Sequence, residues 1–137
     1  MTVDELKRVN PAGTWSGNAY TYENTTYTIL TDSDNNVIGI NVNKSNASTD
    51  NSYFDLASSI NLSANAIMTG CPSGGSSSSY MLRLGVGSTN YSEYGSGVNV
   101  PSGIHNRPRI IVTRDTTIAN KVFYPMLRLS TETDATF

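Results

Sequence analysis

The sequence predicts an all-β fold: an antiparallel two-sheet β-sandwich of the jelly-roll kind, with about nine or ten short strands. Three observations carry this. Apolar and polar residues alternate with period two in Ile38-Gly39-Ile40-Asn41-Val42-Asn43 and again in Tyr80-Met81-Leu82-Arg83-Leu84-Gly85-Val86. Turn-forming clusters of Asn, Asp, Ser and Gly separate such runs roughly every 8 to 12 residues. Ser, Thr and Asn supply about a third of the 137 residues, and Ser and Asn bond nearby backbone, which favours turns and strand faces over helix interiors.

The elements follow in chain order. Val3, Leu6 and Val9 recur at spacing three, which predicts a short helix ended by Pro11 and Gly13. Residues 1–13 read as a lead-in or linker, and residues 14–137 as a single β-sandwich domain. From Ala19 the period is two: Tyr20 and Tyr22 share a face, then Tyr27 and Ile29 alternate with Thr26, Thr28 and Leu30. The Asp/Asn-rich run Asp32 to Asn36 is a turn. Ile38, Ile40 and Val42 then form the cleanest half-buried strand, with one wet face and one core face. Lys44 to Asn51 is a second polar turn, and Phe54 and Leu56 flank Asp55 on the next strand.

Ala66 to Gly70 is a short strand. The Gly/Ser loop from Pro72 to Ser79 serves either as a hairpin connection or as an adaptable binding loop. The alternating run Tyr80 to Val86 is another clear strand, and Tyr91 to Tyr94 and Gly97 to Val100 are short strands among glycines. Arg109 to Arg114 is a further strand. Lys121 to Leu129 is a long one in which Pro125, lacking an N–H, predicts an edge or a bulge.

Charge excludes several functions. Charged residues make up 15% of the chain and the net charge is −2, with Lys and Arg scattered rather than striped. A phosphate-tracking surface is therefore not expected, and nucleic acid is not a predicted partner. No apolar run approaches a membrane span, so membrane insertion is not expected, and Met1 to Asn10 lacks the apolar core of a signal peptide. The one cysteine, Cys71, has no intrachain partner and reads as a small buried hydrophobe rather than a nucleophile.

No catalytic constellation emerges. The one histidine, His105, falls on a predicted surface loop, and no Gly-x-Ser-x-Gly elbow is present. The candidate carboxylates Asp32, Asp34, Asp55, Glu93 and Asp115 fall mostly in turns, Asp55 alone lying on a strand face beside Tyr53. Asp32 to Asn36 begins like a calcium loop, but Val37 stands where such a loop needs Gly and Asn43 where it needs Glu. A looser calcium site there stays open; no metal or cofactor is assigned, and neither a zinc set nor a nucleotide motif occurs.

Sugar binding is the chemistry with residues to support it. Pyranose C–H faces are apolar and stack on aromatic rings, and hydroxyls pair with planar amides, carboxylates and guanidinium groups. The candidate ligand-binding set is Trp15, Tyr91 and Tyr94 with Arg83, Asn90 and Glu93, and Tyr53 and His105 stand behind it. The competing reading has Trp15 closing one end of the core and the segment from Asn90 to Tyr94 packing on the Gly/Ser loop.

Several segments carry a resemblance. They are Gly13-Thr14-Trp15-Ser16-Gly17-Asn18, the run Ile38 to Asn43, Tyr53-Phe54-Asp55-Leu56, Gly70 to Ser76, Gly95-Ser96-Gly97-Val98, and Phe123 to Arg128. In this order, over nearly all of residues 10–137, they resemble a domain of tail and minor structural proteins from phages and prophages of gut Firmicutes. Lys44, where Gly is common, and Ala66, where Tyr or Leu is common, depart from it. The resemblance implies a jelly-roll, carbohydrate-binding-module-like unit recurring within long tail chains, and residues 131–137 resemble an internal stretch of one. It implies a virion or extracellular location, reached from the bacterial cytoplasm without a signal peptide. The expected function is non-catalytic recognition of a bacterial cell-surface polysaccharide or other glycan. The alternative is a structural spacer that meets only other virion tail proteins or further copies of itself as a homo-oligomer.

Overall fold

The computed structural model describes residues 1–85 and 89–129; Val86, expected to extend a strand, and the stretch 131–137 lie outside the described residues. The chain opens on helix α1 (Val3–Val9). A capping box starts it: the Glu5 N–H donates to Thr2 Oγ1 and the Thr2 N–H to the Glu5 carboxylate, each at 3.2 Å. Leu6, on the inward side of the helix, is fully buried in the core.

The strands that follow are β1 (Thr14–Ser16), β2 (Ala19–Tyr22), β3 (Thr25–Thr31), β4 (Val37–Lys44), β5 (Ser52–Asp55), β6 (Ser59–Leu62) and β7 (Ala66–Thr69). The second half contributes β8 (Tyr80–Leu84), β9 (Tyr91–Glu93), β10 (Val98–Val100), β11 (Gly103–Asn106), β12 (Arg109–Val112), β13 (Ile118–Phe123) and β14 (Met126–Leu129). They form four antiparallel sheets, ordered β1-β2-β3-β4-β13, β10-β7-β14, β11-β6 and β5-β12-β8-β9. Among the described residues the fold is all-β apart from α1.

The pairing is nested. β4 pairs with β13, β5 with β12, β6 with β11, β7 with β10, and β8 with β9. The two halves of the chain therefore run as one antiparallel ribbon. Additional pairings of β8 with β12 and of β7 with β14 widen the ribbon into sheets.

The five-stranded and four-stranded sheets meet across an aromatic core. Tyr27 of β3 stacks on Phe54 of β5 with ring centroids 4.9 Å apart, and Tyr80 of β8 meets Phe123 of β13 edge-on at 6.0 Å. A buried hydrogen bond ties the same layers: Tyr27 OH lies 2.6 Å from Ser52 Oγ, whose own proton goes to the Tyr22 carbonyl. Ile29, Ile40 and Val42 on one side and Leu82, Leu84, Ile110 and Val112 on the other complete the packing.

The strand expected over Ile38, Ile40 and Val42 forms, but Ile38 is 54% exposed. The ladder explains this. Leu30 pairs with Gly39 and Thr31 with Val37, so Ile38 is bulged out and the inward phase restarts at Ile40. The restarted phase carries Lys44 inward, where it is 1% exposed and its Nζ donates to the Thr113 and Arg114 carbonyls, each at 2.9 Å.

The long strand expected over Lys121 to Leu129 is two strands in two sheets, and Tyr124 and Pro125 are the step between them. Sequence alternation also passed over β1, β6 and β11; His105, expected on a loop, sits in β11 opposite Ile60. No helix among the described residues is long and apolar enough to cross a membrane.

Candidate functional site

Strand parity builds a second face on the four-stranded sheet. Phe54, Ile110 and Leu82 point into the core, so Tyr53 and Asp55, Arg109 and Ile111, Met81 and Arg83 share the opposite side. Register aligns them in two rows across the strands: Asp55, Arg109, Arg83 and Ser92 in one, Tyr53, Ile111 and Met81 in the other. Met81 and Ile111 are buried yet belong to no part of the core cluster; they are the apolar floor of this outer face. Tyr94, 38% exposed, follows β9 immediately.

The backbone beneath is held rigidly. Asn10, just past α1, acts as a short surrogate strand for the β5 edge: its Nδ2 donates to the Asp55 carbonyl at 2.8 Å and its Oδ1 accepts the Asp55 N–H at 2.7 Å. The Asp55 carboxylate then takes Arg109 Nε at 2.8 Å, and the Arg109 guanidinium lies 4.6 Å from the centre of the Tyr53 ring. Arg109 is thus committed on two sides.

Arg83 is different. It lies directly across the ladder from Arg109, and its buried Nε has no hydrogen-bond partner among the described residues. Burial, and then the Arg109 charge, lower its pKa from the ordinary value; Tyr53 and Tyr94 oppose the shift. Beside Tyr53 the face runs into a cleft of about 600 Å³ lined by Tyr22, Asp50, Asn51, Arg114 and Asp115.

The six residues singled out in the sequence divide. Arg83 and Tyr94 belong to the outer face. Tyr91 stands on the core side of β9, since it pairs with the core-facing Leu84; it packs on the core and meets His105 edge-on at 5.6 Å. Asn90 is exposed just ahead of β9. Trp15 sits on the core side of β5, its ring 5.0 Å from Tyr20 and 6.1 Å from Phe54 and its Nε1 donating to the Asn10 carbonyl at 3.0 Å.

Glu93 is 1% exposed. Its carboxylate accepts backbone N–H groups from Cys71 at 2.7 Å, from Gly97 at 3.0 Å and from Gly95, so it organises two loops from inside. A surface ligand does not reach it. Burial, with the Glu93 charge adding to it, pushes the neighbouring Cys71 thiol up to about 12.

The Asp32 carboxylate is occupied by its own turn. Its Oδ1 accepts the Asp34 and Asn36 N–H groups at 2.8 and 3.0 Å, and its Oδ2 the Asn36 side chain at 3.4 Å. These bonds, the Asn36 N–H first, lower the Asp32 pKa.

Arg109, Met81, Ile111 and the partnership of Tyr53 with Arg83 escaped sequence reasoning. The alternation around each was visible, but the register that sets them side by side joins segments far apart in the chain. No family model, curated protein or solved structure matches this chain.

Proposed function

We propose that the protein is a non-catalytic binding module that recognises a glycan on a bacterial cell surface, as part of a phage tail. The observation that carries this reading is the outer face of the β5-β12-β8-β9 sheet. Tyr53 and Tyr94 offer ring faces for pyranose C–H groups, Arg83 offers planar donors, and Met81 and Ile111 give an apolar floor. The nested strand pairing supports a jelly-roll arrangement, a form that such modules use. The virion setting rests on the ordered sequence resemblance. The non-catalytic reading is supported by two carboxylates of this sheet that are already engaged: Asp55 is committed to Arg109, and Glu93 to backbone N–H groups.

The test is binding of the purified protein to a glycan array and to whole bacterial cells, with a Tyr53→Ala/Tyr94→Ala variant alongside. Saturable binding that the folded variant lacks is expected. Affinity per module is modest, because display in many copies on a tail multiplies it. Absence of binding after forced multimerisation would leave the structural alternative.

One observation favours that alternative. Ile38 and Tyr124 are 54% and 53% exposed and border a small apolar cleft with Met1, Val37, Pro125 and Met126. An exposed patch of this kind suits contact with another tail protein or a second copy of the chain.

A further inference from the structure

The outer face carries an unbalanced charge, and the imbalance is localised. Two guanidinium groups stand side by side on paired strands, Arg109 on β12 and Arg83 on β8. Like charges directly opposite each other on a ladder destabilise it. Among the described residues a single carboxylate, Asp55, pairs with either of them, and it is bound to Arg109. The other ion pair among the described residues, Arg114 with Asp115, involves neither. Arg83 is left with a shielded Nε that donates to nothing among the described residues.

A buried donor without an acceptor costs stability that a bound acceptor restores. A sugar hydroxyl would satisfy the hydrogen bond and leave the second positive charge unanswered. An oxyanion satisfies both, and a guanidinium presents it with two parallel donors. Resting on the glycan-binding reading of this face, we propose that its ligand is an acidic glycan, whose carboxylate, sulfate or phosphate group seats against Arg83, flanked by Tyr53 and Tyr94.

The experiment compares four polymers by affinity electrophoresis and titration calorimetry: polygalacturonate, dextran sulfate, phosphomannan and neutral dextran. Wild-type protein, Arg83→Met and Tyr53→Ala/Tyr94→Ala are run in parallel. The expected result is binding of at least one acidic polymer, about tenfold or more above dextran and weakened by added salt. The polymer that binds identifies which oxyanion the site takes. Arg83→Met should lose that preference while its melting temperature holds or rises, since it removes an unanswered positive charge and a shielded donor without an acceptor. Should Arg83→Met fail to fold, Arg83→Gln is read by the same standard.

Equal binding of dextran, or undiminished acidic binding by the Arg83 variant, would overturn the anion while the tyrosine variant still reported on the face. Binding to no polymer and to nothing on the array or the cells would overturn the anion and the binding reading together.

Discussion

Arg109 lies with its guanidinium carbon 4.6 Å from the centre of the Tyr53 ring, seven strands apart in sequence and adjacent in the sheet. The same group holds Asp55 through Nε, with side chains only 8% and 19% exposed. A pair this shielded is costly to break from one side, because the survivor stays buried and charged. Arg109→Ala should therefore destabilise the protein by about 3 kcal/mol, and Asp55→Ala should rescue part of that loss in the double variant. Urea unfolding of the four proteins of the cycle measures it; strict additivity would mean that the pair is not coupled.

Glu93 predicts a second effect. Its carboxylate serves three backbone donors, from Cys71, Gly95 and Gly97. Glu93→Gln replaces one acceptor oxygen with an NH2 group that faces a donor, at a cost of about 2–3 kcal/mol. Thermal melting reads the loss. Faster amide hydrogen exchange at Gly95 and Gly97 places it in the loops rather than in the strands.

The Cys71 thiol makes stability fall at alkaline pH. Its pKa rises from 9.0 to about 12 in the folded protein. The unfolded chain thus releases this proton first, and the stabilising contribution is whole below about pH 9 and lost as the pH climbs toward 12. Burial raises the Tyr27 pKa as well, which adds in the same sense. A Cys71→Ala variant should show a shallower decline of melting temperature from pH 9 upward. An identical slope would assign the effect to the buried tyrosines, Tyr27 together with Tyr20 and Tyr80, whose pKa values burial also raises.

Two glycines separate backbone strain from collision. Gly70 and Gly103 both have φ in the left-handed region, at +122° and +124°. A Cβ on Gly103 meets nothing within 4 Å, whereas one on Gly70 runs into the Tyr124 carbonyl and the Pro125 nitrogen. Gly103→Ala should cost about 1–2 kcal/mol, the conformational penalty alone. Gly70→Ala should cost clearly more, since the step from β13 to β14 must move. Equal melting temperatures for the two variants would contradict this.

Lys44 is a buried cation whose pKa is lowered by burial, with Asp115 and Glu23 opposing the shift. Both carbonyls it serves have other donors: Thr116 N–H reaches the Thr113 carbonyl at 3.1 Å, and Ser48 N–H the Arg114 carbonyl at 2.8 Å. Lys44→Met should therefore be close to neutral, within about 1 kcal/mol, while Lys44→Ala loses about 2–3 kcal/mol through the cavity. Chemical denaturation of both variants checks the ranking.

The all-β class was legible because period-two alternation and turn chemistry are local. Helix α1 was legible too, from Val3, Leu6 and Val9, but the depth at which Leu6 sits was not. What failed depended on partners distant in the chain. The bulge that turns Ile38 outward is set by β3, and nothing within Val37 to Lys44 announces it. β6 and β11 are short strands rich in polar residues, β11 starting at Gly103, and their pairing with each other outweighs weak local preference. The outer face was half visible. Arg83 and Tyr94 stood out as single residues, but Arg109 joins them only through the β8–β12 register. Glu93 looked like a surface group by residue type, and its burial follows from loops that a single segment does not reveal, whereas the place of Trp15 against the core was one of the two readings its sequence allowed.

The nested pairing also sets a timetable for the nascent chain. Each strand from β4 to β8 finds its mate in reverse order: β8 with β9 first, β7 with β10 next, and β4 with β13 last. A ribosome that has delivered everything up to Leu84 has yet to supply the nested mate of any of these five strands. None of the nested pairs can close before the middle of the sequence has been passed, and topologies rich in such distant pairings fold slowly. Until Phe123 has been delivered, β4 lacks its partner β13 and leaves an unpaired sheet edge on offer to neighbouring copies, so yield during expression should depend on how quickly the second half is translated.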